Sequence, residues 1–355
     1  MPPKKIAIYS NAWDTNAGGG IVYILAIAKI LREKGFDITL FFSETINLAE
    51  LHLLYDTLNL NILKVKKSSI PIFSQLVFAI KEWMDFDIVI QQSLESPRIT
   101  FLKKSFILCD FPMKKIDSFI EKLRFWFWKN IIVNSEFTKY WVKKNWKREA
   151  IVVYPPIEIK SNLNKEKNKD LVCIGRFNKG KRSKRQDVVI EGFKKIIDRG
   201  FSGINLHLIG FVQDIGYVNE LRNLSNEYPI YFYEKCTVEK KSEILNNSTI
   251  FISACGLNID ENIEPHFVEH YGISVVEAMS FGCIPIVIGK GGHKETVDHG
   301  ENGYYWDSID EFVSYTSSIL CDSKVKDRLS NNAFYKAKQY SINNLELKLT
   351  EIFIK

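Results

Sequence analysis

Two glutamates, Glu269 and Glu277, lie eight positions apart on either side of a glycine, Gly272. The residues after this glycine have helical periodicity. The backbone N–H groups of Tyr271, Gly272 and Ile273 would therefore lie at a helix N-terminus, where an anion is favoured. Two carboxylates beside such an anion site could hold neutral hydroxyl groups, such as those of a sugar and a ribose. The structural alternative is that Glu277 complements the helix dipole and Glu269 is a surface acid.

A second segment that could do chemistry is the basic stretch 175–187, which carries six lysines and arginines between a predicted strand and a predicted helix. Fixed positive charge at this place suits a phosphate-containing ligand. The alternative is a solvated basic loop. It accounts well for Lys179, Lys181 and Arg182 but poorly for Arg176.

Charge is concentrated in two parts of the chain, whose net charge is +6. Segment 101–150 has 12 Lys/Arg against 5 Asp/Glu, and segment 160–185 has 10 against 2. Such segments indicate anionic partners such as phosphates, phospholipid headgroups or nucleic acid, with a solvated lysine-rich surface as the alternative. Nucleic acid is disfavoured because no motif that reads it accompanies the charge.

Composition favours a globular protein of two domains, since the chain has 355 residues, 46% of them hydrophobic. The longest apolar stretch, 70–80, is short and broken by Pro71, so no spanning helix is predicted, and the N-terminus lacks a secretory pattern. Six scattered cysteines without a Cys-x-x-Cys pair argue against a zinc site and fit a reducing cytoplasm.

The elements that must position these residues alternate between strands and helices, which predicts an α/β fold with parallel sheets. A first Rossmann-like domain is expected over residues 1–156, a polar linker over 157–169 and a second Rossmann-like domain over 170–335. Ligands of such sheets bind at the carboxyl ends of the strands, so a cleft between the two domains is the expected site.

The glutamate pair belongs to a longer run of motifs in segment 264–306. The run includes a Glu-Ala-Met helix followed by Gly282 and Pro285, a Gly-Gly-x-x-Glu loop at 291–295 and an Asn-Gly turn at 302–303. Together these motifs resemble those of retaining GT-B glycosyltransferases of glycosyltransferase family 4. The resemblance extends over nearly the whole chain.

This resemblance implies a GT-B fold, in which the helix of residues 336–355 crosses back to the N-terminal domain. The implied activity is transfer of a hexosyl unit from a nucleotide sugar to an acceptor hydroxyl, with retention at the anomeric carbon. The family works without a cofactor, a bound metal or a protein nucleophile, and a donor phosphate oxygen takes the acceptor proton. By resemblance, Glu269 contacts the donor sugar hydroxyls and Glu277 holds the ribose.

In the same family an arginine and a lysine from the basic turn bind the donor diphosphate. Arg176 matches the arginine. Lys181 has the spacing of shorter family members, whereas Lys184 has the sequence context of longer ones, and we take Lys184. The nucleotide base would lie against loops around Gly210 and Cys236.

The N-terminal triplet Gly18-Gly19-Gly20 resembles the family's glycine loop beside the donor phosphates and the acceptor. A dinucleotide fingerprint would need a third glycine where Tyr23 stands, so NAD binding is disfavoured, and a plain turn is the alternative. Asp110 occupies the position at which many relatives, including lipid-linked-oligosaccharide α-1,2-mannosyltransferases, carry a histidine near the donor sugar. This carboxylate could accept a sugar hydroxyl or stabilise positive charge at the anomeric carbon, or it could be a helix N-cap.

The stretch 113–128 mixes lysines and arginines with aromatic residues, a pattern that can bind a bilayer surface. We favour the alternative of a buried helix with one wet face, because the family fold needs a packed helix here. Segments 134–138 and 154–156 match the family's domain-closing segments and are interpreted as structural. The same interpretation applies to His266 and His293, which have no metal-ligand company.

The donor predicted first is GDP-mannose and second a UDP-hexose. The acceptor is a saccharide, a lipid-linked saccharide or a small molecule, and the protein is expected in the cytoplasm, with peripheral contact at the inner membrane face. A catalytically silent nucleotide-sugar-binding subunit remains an alternative, as does a phosphorylase or an epimerase of the same fold. No pyridoxal-phosphate lysine motif supports a phosphorylase.

Overall fold

The computed structural model describes residues 2–10, 19–43, 61–65, 72–93, 97–159, 163, 166–181 and 183–354. Its backbone divides into two compact units. Unit 1 comprises Met1–Pro156 and Asn343–Lys355, and unit 2 comprises Ile157–Ile342.

Unit 1 contains a seven-stranded parallel sheet with the strand order β3-β2-β1-β4-β5-β6-β7. Its strands are β1 (Lys5–Ser10), β2 (Asp37–Ser43), β3 (Asn61–Val65), β4 (Ile88–Gln92), β5 (Lys104–Cys109), β6 (Asn130–Val133) and β7 (Ile151–Val152). The central strands are covered on both faces, which is why they read as continuous apolar runs. In β1, Ile6 and Ile8 belong to one core cluster and Ala7 and Tyr9 to another.

The helices of unit 1 cover the two faces of this sheet. They are α1 (Gly19–Glu33), α2 (Ile72–Asp85), α3 (Phe119–Phe127), α4 (Glu136–Trp146) and the C-terminal α12 (Ile342–Phe353). Leu345, Leu349 and Phe353 of α12 join the core cluster of α1, and the Phe353 ring lies 4.6 Å from that of Phe106.

Unit 2 repeats the plan with a six-stranded parallel sheet of order β10-β9-β8-β11-β12-β13. Its strands are β8 (Leu171–Ile174), β9 (Leu206–Ile209), β10 (Ile230–Tyr233), β11 (Ile250–Ser253), β12 (Ile284–Val287) and β13 (Tyr304–Tyr305). The helices are α5 (Gln186–Asp198), α6 (Ile215–Leu224), α7 (Val238–Asn247), α8 (Ile273–Ser280), α9 (His293–Thr296), α10 (Ile309–Cys321) and α11 (Ser323–Ala337). The two parallel sheets confirm the predicted α/β class.

Three local expectations differ from the structure. Gly19 and Gly20 form the first turn of α1 instead of a loop, and Gly18 lies outside the described residues. Within the predicted linker, Lys167 is packed onto unit 2, where its Nζ donates to the carbonyl oxygens of Leu245 at 2.9 Å and Ser248 at 2.7 Å.

The third difference concerns α3, which was expected to be a buried helix with one wet face. Phe125 is buried, but Phe119, Ile120, Leu123 and Trp126 are exposed. The expectation of a buried helix is wrong, because Phe125 is the only residue of α3 that is buried. Among the described helices, none is both long and apolar enough to cross a membrane.

Candidate active site

An ion pair between Lys184 and Glu269 lies at the centre of the site in unit 2. Both side chains are mostly buried, with 20% and 19% of their surface exposed. Burial alone would raise the pKa of Glu269, but the Lys184 ammonium beside the carboxylate lowers it to about 2. Burial would conversely lower the pKa of Lys184, but Cys255 and the Glu269 carboxylate raise it. Both groups are therefore charged near neutral pH.

Two glycines allow close packing around the basic turn that carries Lys184. A Cβ on Gly175 would overlap the Lys184 side chain, and a Cβ on Gly210 would overlap the carbonyl oxygen of Gly175. The buried Gln186 side chain fixes the turn by donating to the carbonyl oxygens of Gly175 at 3.2 Å and Arg176 at 3.1 Å. The close approach of three backbone segments thus positions the basic turn.

Arg176 is exposed at the end of β8, beside Lys184. Its charge opposes the rise in the pKa of Lys184. Within the part of the chain that the structure describes, no carboxylate forms an ion pair with Arg176. Arg176 is therefore a cation next to the Lys184–Glu269 pair that is open to an anion.

The backbone of Glu269 is fixed by the glycine loop that follows β12. Gly292 N donates to the Glu269 carbonyl oxygen at 2.7 Å, and a Cβ on Gly291 would overlap that oxygen. A Cβ on Gly292 would overlap the carbonyl group of His270. Gly291 N in turn donates to Glu261 Oε2 at 2.7 Å. The Gly-Gly motif is thus required by the close packing of two loops.

Gly272 begins helix α8 with a φ of 93°, in the left-handed region that favours glycine. The first N–H groups of a helix have no acceptor within the helix, and this helix start is close to Glu269, since a Cβ on Gly272 would lie 3.3 Å from Glu269 Cγ. Tyr271 is buried, and its ring lies 5.7 Å from that of Tyr340. The segment 271–273 therefore supplies backbone donors and does not present the tyrosine hydroxyl to solvent.

His293 is fully buried beside this helix start. Its Nδ1 lies 2.8 Å from the Ile288 carbonyl oxygen, so Nδ1 carries the proton and donates. Burial lowers the pKa of His293, which keeps the ring neutral. Its position beside Gly272 and Glu269 fits a structural role in packing the two loops together.

Glu277 lies in α8, where its carboxylate pairs with Lys241 of α7 at 2.6 Å. About a quarter of each side chain is exposed. Lys241 was not predicted as a site residue from the sequence. The only signal available was a pair of lysines in the first turn of α7, which is typical of a solvated helix face.

The other lysines of the basic turn lie at the surface. Lys181 pairs with Glu264, and 58% of its side chain is exposed. Lys179 pairs with Glu220 at 2.7 Å. Lys184 thus differs from both in its burial and in its contact with Glu269.

Asp110 lies in unit 1, at the end of β5. Its Oδ2 accepts a 2.7 Å hydrogen bond from Gln92 Nε2, and Ser10 Oγ donates to Gln92 Oε1 at 2.6 Å. A Cβ on Gly20 would lie 3.0 Å from both Asp110 Oδ2 and Gln92 Nε2. Burial raises the pKa of Asp110 to about 6, although the hydrogen bond from Gln92 opposes the rise.

Segment 134–138, which we interpret as structural, holds the backbone of Asp110. Its carbonyl oxygen accepts from Asn134 Nδ2 at 3.1 Å and from Thr138 Oγ1 at 3.2 Å. The alternative that Asp110 caps a helix is wrong, since the next helix, α3, begins at Phe119 and is capped by Ser118. The Asp110 carboxylate is thus free of a capping role.

The predicted site residues fall into two groups. Unit 2 brings together Arg176, Lys184, Gly210, Glu269 and the start of α8, with Glu277 on the same helix, whereas unit 1 holds Gly20 close to Asp110. Across the described ranges, no three His, Cys, Asp or Glu side chains form a group that could hold a metal ion.

The chain is similar to a known family and to several known proteins. The family described as Glycosyl transferases group 1 matches residues 156–336. A curated relative is the GDP-Man:Man(3)GlcNAc(2)-PP-Dol alpha-1,2-mannosyltransferase of Dictyostelium discoideum, 26% identical over 61% of this chain and 45% of its own length. Another is the human Alpha-1,3/1,6-mannosyltransferase ALG2, 25% identical over 65% of this chain and 66% of its own length. The chain spans less than half the length of the first three curated relatives.

Solved structures share the fold at lower identity. A glycosyltransferase from Rickettsia africae is 16% identical, with a TM-score of 0.73 and 99% of each chain covered. Anabaena HepE in complex with UDP-glucose is 14% identical, with a TM-score of 0.73 and 98% of each chain covered. The predicted GT-B fold is confirmed.

Proposed function

Because the chain belongs to the family Glycosyl transferases group 1, we propose that it transfers a hexosyl unit from a nucleotide sugar to an acceptor hydroxyl in glycan biosynthesis. The observation that carries the proposal is the buried Lys184–Glu269 pair beside Arg176 and the start of α8. This arrangement offers cations and backbone donors for a diphosphate next to a carboxylate for sugar hydroxyls.

The donor diphosphate would be held by Arg176, Lys184 and the first N–H groups of α8. These three groups compensate the negative charge that develops as the nucleoside diphosphate leaves. Burial and the contact with Glu269 favour Lys184 over Lys181 for this role, since Lys181 lies at the surface with Glu264.

Binding of the donor would rearrange the existing ion pair. Lys184 turns from Glu269 toward the phosphate oxygens, and the released Glu269 carboxylate accepts hydrogen bonds from the donor sugar. Before the donor binds, the Lys184 ammonium holds the pKa of Glu269 at about 2, so the carboxylate is already ionised when it meets the sugar hydroxyls. Glu277 would likewise exchange Lys241 for the ribose hydroxyls.

The transfer would proceed on one face of the sugar. The bond from the anomeric carbon to the diphosphate breaks, the acceptor oxygen bonds to the anomeric carbon on the same face, and a donor phosphate oxygen takes the hydroxyl proton. Because the new bond forms on the face that the diphosphate leaves, the anomeric configuration is retained. Such a leaving group needs no protein acid to protonate it, since its charge is balanced by Arg176 and Lys184. Asp110 would accept a sugar hydroxyl or stabilise positive charge at the anomeric carbon.

The donor proposed first is GDP-mannose, because several curated relatives are named as mannosyltransferases and four of them carry GDP-Man in their names. A UDP-hexose is the second candidate, since the structural neighbour HepE was solved with UDP-glucose. The acceptor would be a saccharide or a lipid-linked saccharide. A location in the cytoplasm would give access to these nucleotide sugars.

Nucleotide binding tests the proposal. Ligand that binds the folded state raises the melting temperature by mass action, so melting curves with GDP, UDP, ADP and CMP should show one preferred nucleotide. The shift should be lost in Arg176→Ala and kept in the control Lys179→Ala, which removes a neighbouring lysine held by Glu220. No shift with any nucleotide, or equal loss in both variants, would contradict the assigned donor site.

A further inference from the structure

Helix α3 of unit 1 exposes four large apolar side chains. The exposed fractions are 79% for Phe119, 48% for Ile120, 43% for Leu123 and 67% for Trp126. Exposed apolar residues are common when single, but a group of this size on one short helix indicates a surface that is covered by something else.

These residues lie along one face of the helix. At about 100° of rotation per residue, the four positions fall within an arc of about 120°. Phe125 points to the opposite side and is buried in the core of unit 1. The helix therefore has two apolar faces. One packs in the core of unit 1, and the other is exposed to solvent.

Positive charge borders the exposed stripe. Lys122 and Arg124 lie about 40° beyond its two edges on the helix. Lys114, Lys115 and Lys129 are exposed in the segments that enter and leave the helix. An apolar stripe between lysines matches the layers of an anionic bilayer, in which acyl chains lie below negatively charged headgroups.

The exposed face is presented by a well-anchored helix. Ser118 and Glu121 form a capping box at its start. At its end, Arg148 donates to the carbonyl oxygens of Phe125 at 2.9 Å and Trp128 at 2.8 Å. Exposure of the stripe is thus part of the fold and does not result from fraying.

A second helix of unit 1 also exposes apolar side chains and is fixed to the same loop. In α2, Trp83 and Met84 are 61% and 74% exposed. The neighbouring Glu82 is buried, where it pairs with Arg98, and the Arg98 carbonyl oxygen accepts from Trp128 Nε1 at 2.7 Å. The loop that supports the end of α3 thus also holds α2.

We propose that the exposed face of α3 docks flat on a membrane surface rich in anionic lipid. Charge complementarity favours this occupant over a second copy of the chain, since pairing two such faces would bring like-charged lysine borders together. The inference does not rest on the proposed transferase activity, because it depends on α3 alone.

Vesicle sedimentation tests this proposal with the full chain and no nucleotide or acceptor. The protein should sediment with vesicles of phosphatidylcholine mixed with phosphatidylglycerol and should stay in solution with phosphatidylcholine alone. The variant Phe119→Ser with Trp126→Ser should weaken binding about ten-fold or more. Lys115→Glu with Lys122→Glu should weaken it by at least about twenty-fold, and added salt should weaken wild-type binding.

Two control variants match these changes away from α3. Leu347→Ser with Ile263→Ser removes side chains that are 69% and 76% exposed, and Lys29→Glu with Lys348→Glu makes the same change in net charge. Both should bind like wild type, and all variants should keep their melting temperature because the changed residues are exposed. Absence of binding to anionic vesicles, equal binding to neutral vesicles, equal loss in the controls, or a solution dimer that only the α3 variants dissolve would overturn the proposal.

Discussion

At the scale of single residues, Lys184 and Glu269 define the candidate site because each is buried with the other. Removal of one partner would leave the other charge buried and uncompensated, which is energetically costly. The same turn contains a matched surface pair, Lys181 with Glu264, which differs mainly in its exposure.

This difference predicts two distinct stability effects. Lys184→Met should lower the free energy of unfolding by about 3 kcal/mol, whereas Lys181→Met should cost less than about 1 kcal/mol. Adding Glu269→Gln to Lys184→Met should recover much of the loss, because no buried charge then remains. Urea unfolding monitored by circular dichroism measures all three, and equal losses in the two single variants would contradict the geometry.

For Asp110, in contrast to Lys184, we predict that removal of the charge stabilises the protein near neutral pH. Burial raises its pKa in the folded state to about 6, above the value of 3.8 for an ordinary aspartate, so the folded protein holds the proton more tightly than the unfolded chain. The stabilisation from this proton is present below about pH 4 and is lost as the pH rises toward 6. Asp110→Asn should therefore melt at a higher temperature than wild type at pH 7.5 and at a similar temperature near pH 4. A variant that is less stable than wild type at pH 7.5 would contradict the raised pKa of Asp110.

At the scale of elements, two glycine loops bring the site together, and each does so by a backbone approach that a Cβ would prevent. Gly291 and Gly300 offer a controlled comparison. Both have positive φ angles, of 59° and 81°, so alanine strains the backbone at either position. Only at Gly291 would the added Cβ also overlap the Glu269 backbone, since nothing lies within 4 Å of a Cβ at Gly300.

Gly291→Ala should thus abolish stabilisation by the nucleotide sugar, whereas Gly300→Ala should keep it despite a loss of about 1 kcal/mol in stability. The measurement is the increase in melting temperature with saturating GDP-mannose or UDP-glucose. If both variants keep the increase, the glycine loop does not position Glu269.

The strands were predictable from the sequence because strands covered on both faces read as continuous apolar runs, as β1 and β11 do. Turns rich in glycine were less predictable. Gly19 and Gly20 were expected in a loop, yet they begin α1, where Gly20 packs closely on Asp110. Periodicity identifies an apolar face of α3 but cannot tell whether another element covers it.

The candidate site was likewise only partly predictable from the sequence. The residue types and the spacing of Arg176, Glu269 and Glu277 along the chain indicate a site for phosphate and hydroxyl groups. The partners Gln92 and Lys241 could not be predicted, because each acts across two elements that only the fold brings together. Spacing alone left Lys181 and Lys184 open, and the structure separates them by burial.

At the scale of the whole molecule, each unit contributes one parallel sheet and one set of candidate residues. Unit 2 carries the cations and carboxylates proposed for the donor, and unit 1 carries Asp110 and the exposed face of α3. We thus propose that unit 2 holds the donor diphosphate, whereas unit 1 supplies Asp110 to the donor sugar and the exposed face of α3 to the membrane surface.

The central claim is that the chain transfers a sugar by means of the Lys184–Glu269 site. Release of nucleoside diphosphate from GDP-mannose and from UDP-glucose, with a panel of saccharide and lipid-linked saccharide acceptors, tests it most directly. We predict acceptor-dependent release of GDP from GDP-mannose that falls by about 100-fold or more in Glu269→Gln. Nucleotide binding without release from either donor, or release unchanged in Glu269→Gln, would contradict the account.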